Sequence, residues 1–234
     1  MPERNGRIPN AANHEVSFRR YEPGDIPSCA RLAEDAWPAG PALVAEETES
    51  SGMEGYMEYS RRVANWTDIA YTSDGIVGFL FGRIDGLPEK VPSRKSPFGE
   101  LPSIFRSFFA RGRITPALLR FLWSLMLTEL KVKLNTPRSD ASIEMFIVGS
   151  MYRGKGVGNE LFDRFLRAAI DAGSALVTVY TEDRMSNWGF YEKRGFRRVG
   201  TFYDNITSHY SGSHASGIIL ALDLKEEKTI RDER

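Results

Sequence analysis

Apolar positions along the chain recur with two periods, and the switches between them mark the elements. Val16 to Arg20 (VSFRR) alternates as a short first strand. The Glu-Pro-Gly-Asp turn at Glu22 to Asp25 leads into a helix from Ile26 to about Trp37, which Pro38 ends. Ala39 to Ser51 is turn-rich and acidic. A second helix is predicted over Gly52 to Asn65, with Met53, Tyr56, Met57, Ser60 and Val63 at helical spacing. Asp68 to Thr72 and Gly75 to Ile84 read as a hairpin around Ser73-Asp74-Gly75, and IVGFLFGRI is apolar enough to be a mostly buried strand.

The pattern then changes. Asp85 to Asp140 opens with a Pro/Lys/Ser-rich loop and continues with two helical periods, Glu100 to Ala110 and Pro116 to Leu134. Thr115-Pro116 supplies an N-cap and a first-turn proline for the second. From Ala141 strand and helix alternate. SIEMFIV is a strand, Gly156 to Ala172 an amphipathic helix, and Leu176 to Thr181 a buried strand. Ser186 to Arg194 is a short helix stopped by Gly195. Phe196 to Asp204 and Gly217 to Leu222 are further strands with a polar loop, Asn205 to Ser216, between them. The order β-α-α-β-β, insertion, β-α-β-α-β-β predicts an α/β fold with a mixed sheet. Residues 1–15 are expected to be a flexible N-terminal arm, 16–224 a single domain with a helical insertion at 85–140, and 225–234 a charged C-terminal tail.

Composition narrows the function classes. A chain of 234 residues with 41% hydrophobic residues can bury a core, and 31 basic against 31 acidic residues leave no net charge. No nucleic-acid partner is expected from that balance. The single cysteine, Cys29, excludes an intrachain disulfide and a cysteine-based zinc site, and no metal is expected. Met1 to Asn13 lacks the apolar core of a secretory signal, so the cytoplasm is the expected compartment. Pro116 to Leu134 is the most apolar stretch, but Arg120, Glu129, Lys131 and Lys133 interrupt it, so no membrane span is expected.

The segment richest in chemistry is Val148-Gly149-Ser150-Met151-Tyr152-Arg153-Gly154-Lys155-Gly156-Val157-Gly158, between a predicted strand and a predicted helix. Its glycines let backbone N–H groups approach a ligand, the helix N-terminus adds partial positive charge, and Arg153 and Lys155 add whole charges. That is an anion cradle. A nucleotide P-loop would need a hydroxyl where Gly156 stands, and the dinucleotide fingerprint needs two residues before its last glycine where this chain has one. The pattern R-G-x-G-x-G matches without a gap. About thirty residues on comes Asn187-Trp188-Gly189-Phe190-Tyr191-Glu192-Lys193-Arg194-Gly195-Phe196.

With both motifs in order, the chain resembles the GNAT (GCN5-related) N-acetyltransferase superfamily over roughly Val16 to Leu224. The resemblance implies a mixed, mostly antiparallel central sheet flanked by helices, here with a helical insertion between the third and fourth strands. It implies acetyl-CoA as co-substrate and transfer of the acetyl group directly to a primary amine of a small molecule or peptide. Carried over from the family, Arg153, Gly154, Lys155, Gly156, Val157 and Gly158 hold the pyrophosphate of acetyl-CoA. The backbone of Phe146, Ile147 and Val148 pairs with the pantetheine arm, where the fourth strand splays from the fifth. Tyr191 protonates the departing thiolate. Many members place an asparagine seven residues before that tyrosine, where this chain has Arg184; Asn187, four before it, is the substitute contact, with Ser186 as the other option. The other reading is a catalytically silent acyl-CoA-binding or protein-interaction module on the same fold.

On the acceptor side, a base must take the proton of an amine whose pKa is about 10.4. Strict alternation along the fourth strand puts Ser142, Glu144, Phe146 and Val148 on one face, with Glu144 the only acid in that row. His209 and His214 in the polar loop are the competing candidates. Glu46, Glu47, Glu49, Glu54 and Glu58 suggest an acidic acceptor wall. The insertion carries ten bases and five acids, hence +5. Its stripe Leu118, Leu119, Leu122, Leu125, Met126 and Leu130, widened by Phe121, Trp123 and Leu127, predicts burial on more than one side. A cap over the acceptor site, a homodimer contact and plain core extension are the three roles open to it.

Overall fold

The computed structural model describes residues 15–36, 49–89, 116–184 and 186–224. The expectations for the arm before residue 15, for Glu46 and Glu47, for a helix at Glu100 to Ala110 and for the tail 225–234 lie outside the described residues. Strands β1 (Ser17–Arg20), β2 (Trp66–Thr72), β3 (Gly75–Ile84), β4 (Ala141–Val148), β5 (Leu176–Glu182), β6 (Arg197–Tyr203) and β7 (Ser216–Asp223) form one sheet in the order β1-β2-β3-β4-β5-β7-β6. Every neighbouring pair is antiparallel except β4 and β5, which run parallel. The helices are α1 (Ile26–Ala36), α2 (Glu49–Arg62), α3 (Pro116–Asn135), α4 (Val157–Asp171), α5 (Trp188–Glu192) and α6 (Asn205–Ser211).

The core lies on both faces of β3 and β4. On one face Leu161, Phe162 and Phe165 of α4 pack with Leu80, Ile143, Val179 and Leu220. On the other Cys29, Ala30 and Ala33 of α1 and Met57 of α2 pack with Phe79, Phe81, Met145 and Ile147. A strand buried on both sides reads as a continuous apolar run, which is why GIVGFLFGRI carries so few polar residues. Gly82 is needed at the crossing with α4, because a Cβ there would lie 2.4 Å from the Phe165 ring. Burial raises the Cys29 thiol to about 12, so it behaves as a core side chain.

Asp68 of β2 is fully buried and is met by Arg164 of α4 at 2.6 Å and by Arg20 of β1 at 3.3 Å. Removing one partner of a buried pair leaves an uncompensated charge. Asp68→Ala is therefore expected to destabilise the fold by about 3 kcal/mol, read as a lowered denaturant midpoint with an unchanged slope.

Two expectations fail here. Asn205 to Ser216 is not a loop throughout: Asn205–Ser211 is a helix. Asp204 caps it by accepting from Ile206 N and Thr207 N at 3.0 and 3.1 Å, and Gly212 closes it at φ +61°. Helix α3 has nearly the expected span, but among its described side chains the expected burial is incomplete. Leu119, Trp123 and Leu134 are 49%, 61% and 74% exposed. Among the described side chains of the helix Thr128 and Val132 are the buried ones, and α3 lies against α6, β6 and β7. Among the described residues no helix is long and apolar enough to cross a membrane.

Candidate active site

The sheet opens where β4 and β5 part. Their parallel ladder runs through the pairs Ala141–Val177, Ser142–Thr178 and Ile143–Val179, while β4 continues to Val148 and β5 to Glu182. No β4–β5 pairing follows Ile143 among the described residues. On its other edge β4 stays paired with β3, Phe146 opposite Leu80 and Val148 opposite Gly78. One edge of Phe146, Ile147 and Val148 thus faces a gap, as the resemblance implies for a strand that receives an extended ligand.

Strict alternation does not hold along β4. Phe81 pairs with Met145 and Gly82 with Ile143, so Glu144 is the extra residue of a β-bulge. Phe146 and Val148 pack toward α4. Ser142 and Glu144 instead line a small cleft with Ser60 of α2 and Val63 just after it, Glu129, Val132 and Thr136 on or just after α3, and Thr178 and Tyr180 of β5. The expected single row of four is therefore split, because the bulge changes which face each residue presents. Ser142 Oγ donates to Glu144 Oε1 at 2.5 Å, fixing the carboxylate at the mouth of the opening.

The glycine loop closes the same end of β4. Gly149 N–H donates to Val77 O at 2.9 Å and holds the loop to β3. Gly154 and Gly156 have φ of +72° and +89°, and a Cβ at either would meet nothing within 4 Å. Gly156 caps α4 without a side chain, and the first ladder donor is Glu160 N–H to Gly156 O at 3.0 Å. The preceding amides of the first turn thus have no intrahelical carbonyl to meet. Arg153 and Lys155 are exposed beside them; Arg153 Nε donates to Val148 O at 2.9 Å, and Lys155 Nζ lies 5.5 Å from the centre of the Tyr152 ring. Gly158 has a different use. A Cβ there would be 3.4 Å from Phe146 and Val148, so it lets α4 sit close on β4. Open left-handed glycines, first-turn amides and two bases fit a diphosphate group.

Tyr191 lies on α5, its ring edge-on to Phe162, Phe190 and Phe196, and burial pushes its phenol up from the usual value. Asn187 is the N-cap of α5 but makes no side-chain cap bond. Ser186 is engaged by Thr181 Oγ1 and by Glu182 O. Arg184 donates through Nε to His214 O at 2.9 Å. His209 lies in α6, and the exposed His214 meets the Tyr203 ring; neither lines the cleft with Glu144. Of the expected acidic wall, Glu49, Glu54 and Glu58 are on α2. The cleft's second carboxylate comes instead from the insertion, as Glu129. Among the described residues no group of three or more His, Cys, Asp or Glu is placed to share a metal ion.

Residues 132–206, from the end of α3 through the glycine loop to α6, match the family profile of the acetyltransferase (GNAT) domain. Over these residues the chain is similar to the GNAT acetyltransferases. Its fold agrees with that of solved structures. The ribosomal-protein-S18-alanine N-acetyltransferase from Escherichia coli is 11% identical with a TM-score of 0.51, covering 89% of this chain and 94% of its own. An N-acetyltransferase from Staphylococcus aureus Mu50 is 14% identical with a TM-score of 0.51, covering 90% and 99%. SsHAT is 15% identical with a TM-score of 0.59, covering 89% and 98%. At these identities the likeness establishes the GNAT fold. No relative is found among curated proteins. Two features of this chain were not predicted by pattern: the bulge at Glu144, and Glu129 as a cleft residue. The first depends on the partner strand and carries no local signal. The second could have been found from the spacing Glu129, Val132, Thr136, which repeats on one helix face.

Proposed function

We propose that the protein is an acetyl-CoA-dependent N-acetyltransferase that moves an acetyl group directly to a primary amine of a small molecule or peptide. The observation that carries this reading is the divergence of β4 from β5 after Ile143, directly beside an anion cradle at the end of β4. Bound acetyl-CoA would supply an activated thioester. The amides of Gly154 to Gly158, with Arg153 and Lys155, hold its pyrophosphate, and the open backbone edge of Phe146, Ile147 and Val148 guides its arm, with Asn187 at the far side.

Glu144 accepts a proton from the acceptor ammonium, directly or through a bridging water, while Ser142 donates to its Oε1. The free amine then forms a bond to the acetyl carbon as the carbon–sulfur bond breaks, and the sulfur leaves with the bonding pair. The Tyr191 hydroxyl gives that sulfur a proton, and the second proton left on the acylated nitrogen returns through solvent to the Tyr191 phenolate. Burial among Phe162, Phe190 and Phe196 keeps the phenol neutral and ready to donate. The same burial makes its proton harder to release, so the acid step assists a leaving group that can depart unaided.

The test is release of free thiol from acetyl-CoA in the presence of a panel of primary amines. Steady thiol release that depends on an amine supports transfer; CoA binding with no release from any amine would support the silent module instead. Tyr191→Phe keeps the ring packing and is expected to lower kcat by about 10²-fold, with CoA affinity within about twofold of the parent.

A further inference from the structure

The rings around Tyr191 join three parts of the candidate site. Phe190 of α5 lies edge-on to Phe162 of α4 at 5.4 Å between ring centres and edge-on to Phe146 of β4 at 5.6 Å. Tyr191 is edge-on to Phe162 at 6.3 Å and to Phe190 at 5.5 Å. One cluster thus links the helix that opens with the glycine cradle, the strand with the open edge, and the helix that bears the phenol.

Helix α5 cannot hold its own position. It has five residues, far fewer than a helix needs to persist alone, and Asn187 makes no side-chain cap bond at its start. Side chains must fix it, and they do so on two flanks. On one, Arg198 of β6 lies 4.1 Å from the Trp188 ring centre and donates to Glu192 Oε1 at 3.2 Å, an exposed tie. On the other, Arg194, two residues past the end of α5, donates through Nη1 to Asp163 Oδ1 of α4 at 2.5 Å. The same guanidinium lies 5.2 Å from the Phe162 ring centre and 5.5 Å from that of Phe190. A planar cation can cover the rings of both helices while a carboxylate anchors it. The clamp reaches Tyr191 through the backbone as well, since Arg194 N–H donates to Tyr191 O at 2.9 Å.

Asp163 stands on the same helix as the cradle, seven residues past its cap Gly156 and about 10 Å along the axis. Resting on the acetyltransferase reading above, we infer that Arg194 is a positioning residue for Tyr191. Clamped to Asp163, it fixes α5 against α4, so that the helix reading the diphosphate also sets where the phenol stands relative to the sulfur. Without the clamp, CoA still binds and the proton donor is misplaced.

The experiment uses the full chain labelled with ¹³C at tyrosine Cζ and loaded with CoA, the Tyr191 signal being the one missing from Tyr191→Phe. Arg194→Met keeps an apolar stem over the rings and removes the charge. It is expected to shift or broaden the Tyr191 signal and to lower kcat about tenfold with a panel amine that supports thiol release. CoA affinity should stay within about twofold of the parent. Asp163→Asn should move the same signal less, and Arg194→Lys should recover part of kcat. In the Tyr191→Phe background Arg194→Met should lower kcat by less than about twofold, because no phenol remains to be misplaced. A residue that only stabilised the fold would cost the same factor in both backgrounds. Thermal melting confirms that each variant is folded, and Asp163→Asn carries the comparison if Arg194→Met is not. An unmoved Tyr191 signal in a folded clamp variant, or equal losses of kcat in the two backgrounds, overturns the inference. Full kcat in Tyr191→Phe removes the acid role alone, and the labelled signal then decides whether Arg194 fixes the phenol.

Discussion

Gly156→Asp is expected to reduce CoA affinity by more than about 100-fold while the protein stays folded. Two opposed features of the loop argue for both halves of that result. Gly156 has φ of +89°, a conformation that costs an L-residue about 1–2 kcal/mol, so the variant should melt somewhat earlier. The new Cβ meets nothing within 4 Å, and an acidic side chain at the start of α4 interacts favourably with the helix dipole. The fold therefore tolerates it. A diphosphate does not, since a carboxylate would stand among the amides that the ligand needs. Gly156→Ala separates the two effects: it carries the backbone strain without the charge, and should lose far less affinity. Calorimetry with CoA on all three proteins decides the matter, and unchanged affinity in folded Gly156→Asp would falsify the cradle.

Glu144→Gln should lower kcat/KM at neutral pH by about 10²-fold or more. The amide keeps the shape of the carboxylate and can keep a contact with Ser142, so packing at the bulge is preserved. It cannot accept the acceptor's proton. The deficit should shrink as pH rises toward about 10.4, where the amine no longer needs a base. Parallel pH–rate profiles for the parent and Glu144→Gln would remove Glu144 from the base role.

Much of the fold was legible because its signals are local. Ser73-Asp74-Gly75 marks the β2–β3 turn, Thr115-Pro116 the start of α3, and Gly195, at φ +87°, the stop after α5. The glycine loop was equally plain, since an anion cradle needs glycines at fixed spacing whatever surrounds it. Helix α6 was missed for an opposite reason. Its residues, NITSHYS, are poor helix formers, and the helix exists because Asp204 caps it and α3 packs on it. Asp204 and Gly212 were readable as start and stop signals, but the polar composition between them concealed the element. The face of Glu144 was not legible at all. A bulge is a property of two strands, and β3 lies far away in sequence. Exposure of Trp123 was concealed likewise, because an apolar stripe says which residues can be buried and not how many neighbours arrive to bury them.

The way the insertion is attached bears on how the chain assembles. Its two ends are fastened to each other and to the sheet: Asp85 N–H donates to Asp140 O at 2.7 Å, and Asn65 holds Ile84 N–H through Oδ1 at 2.8 Å and Glu89 O through Nδ2 at 3.0 Å. The antiparallel pair β3–β4 is thus joined not by a tight turn but by residues 85–140. Each doubling of such a connection adds only about 0.6 kcal/mol of closure entropy, so the native state bears the detour at little cost. The search for the partner strand is where the detour is felt. The β2–β3 hairpin can form early on local contacts, whereas β4 must be recruited from a distance before α4 has a surface to cover. Folding of this chain is accordingly expected to wait on one long-range event, the arrival of the strand that bears Glu144.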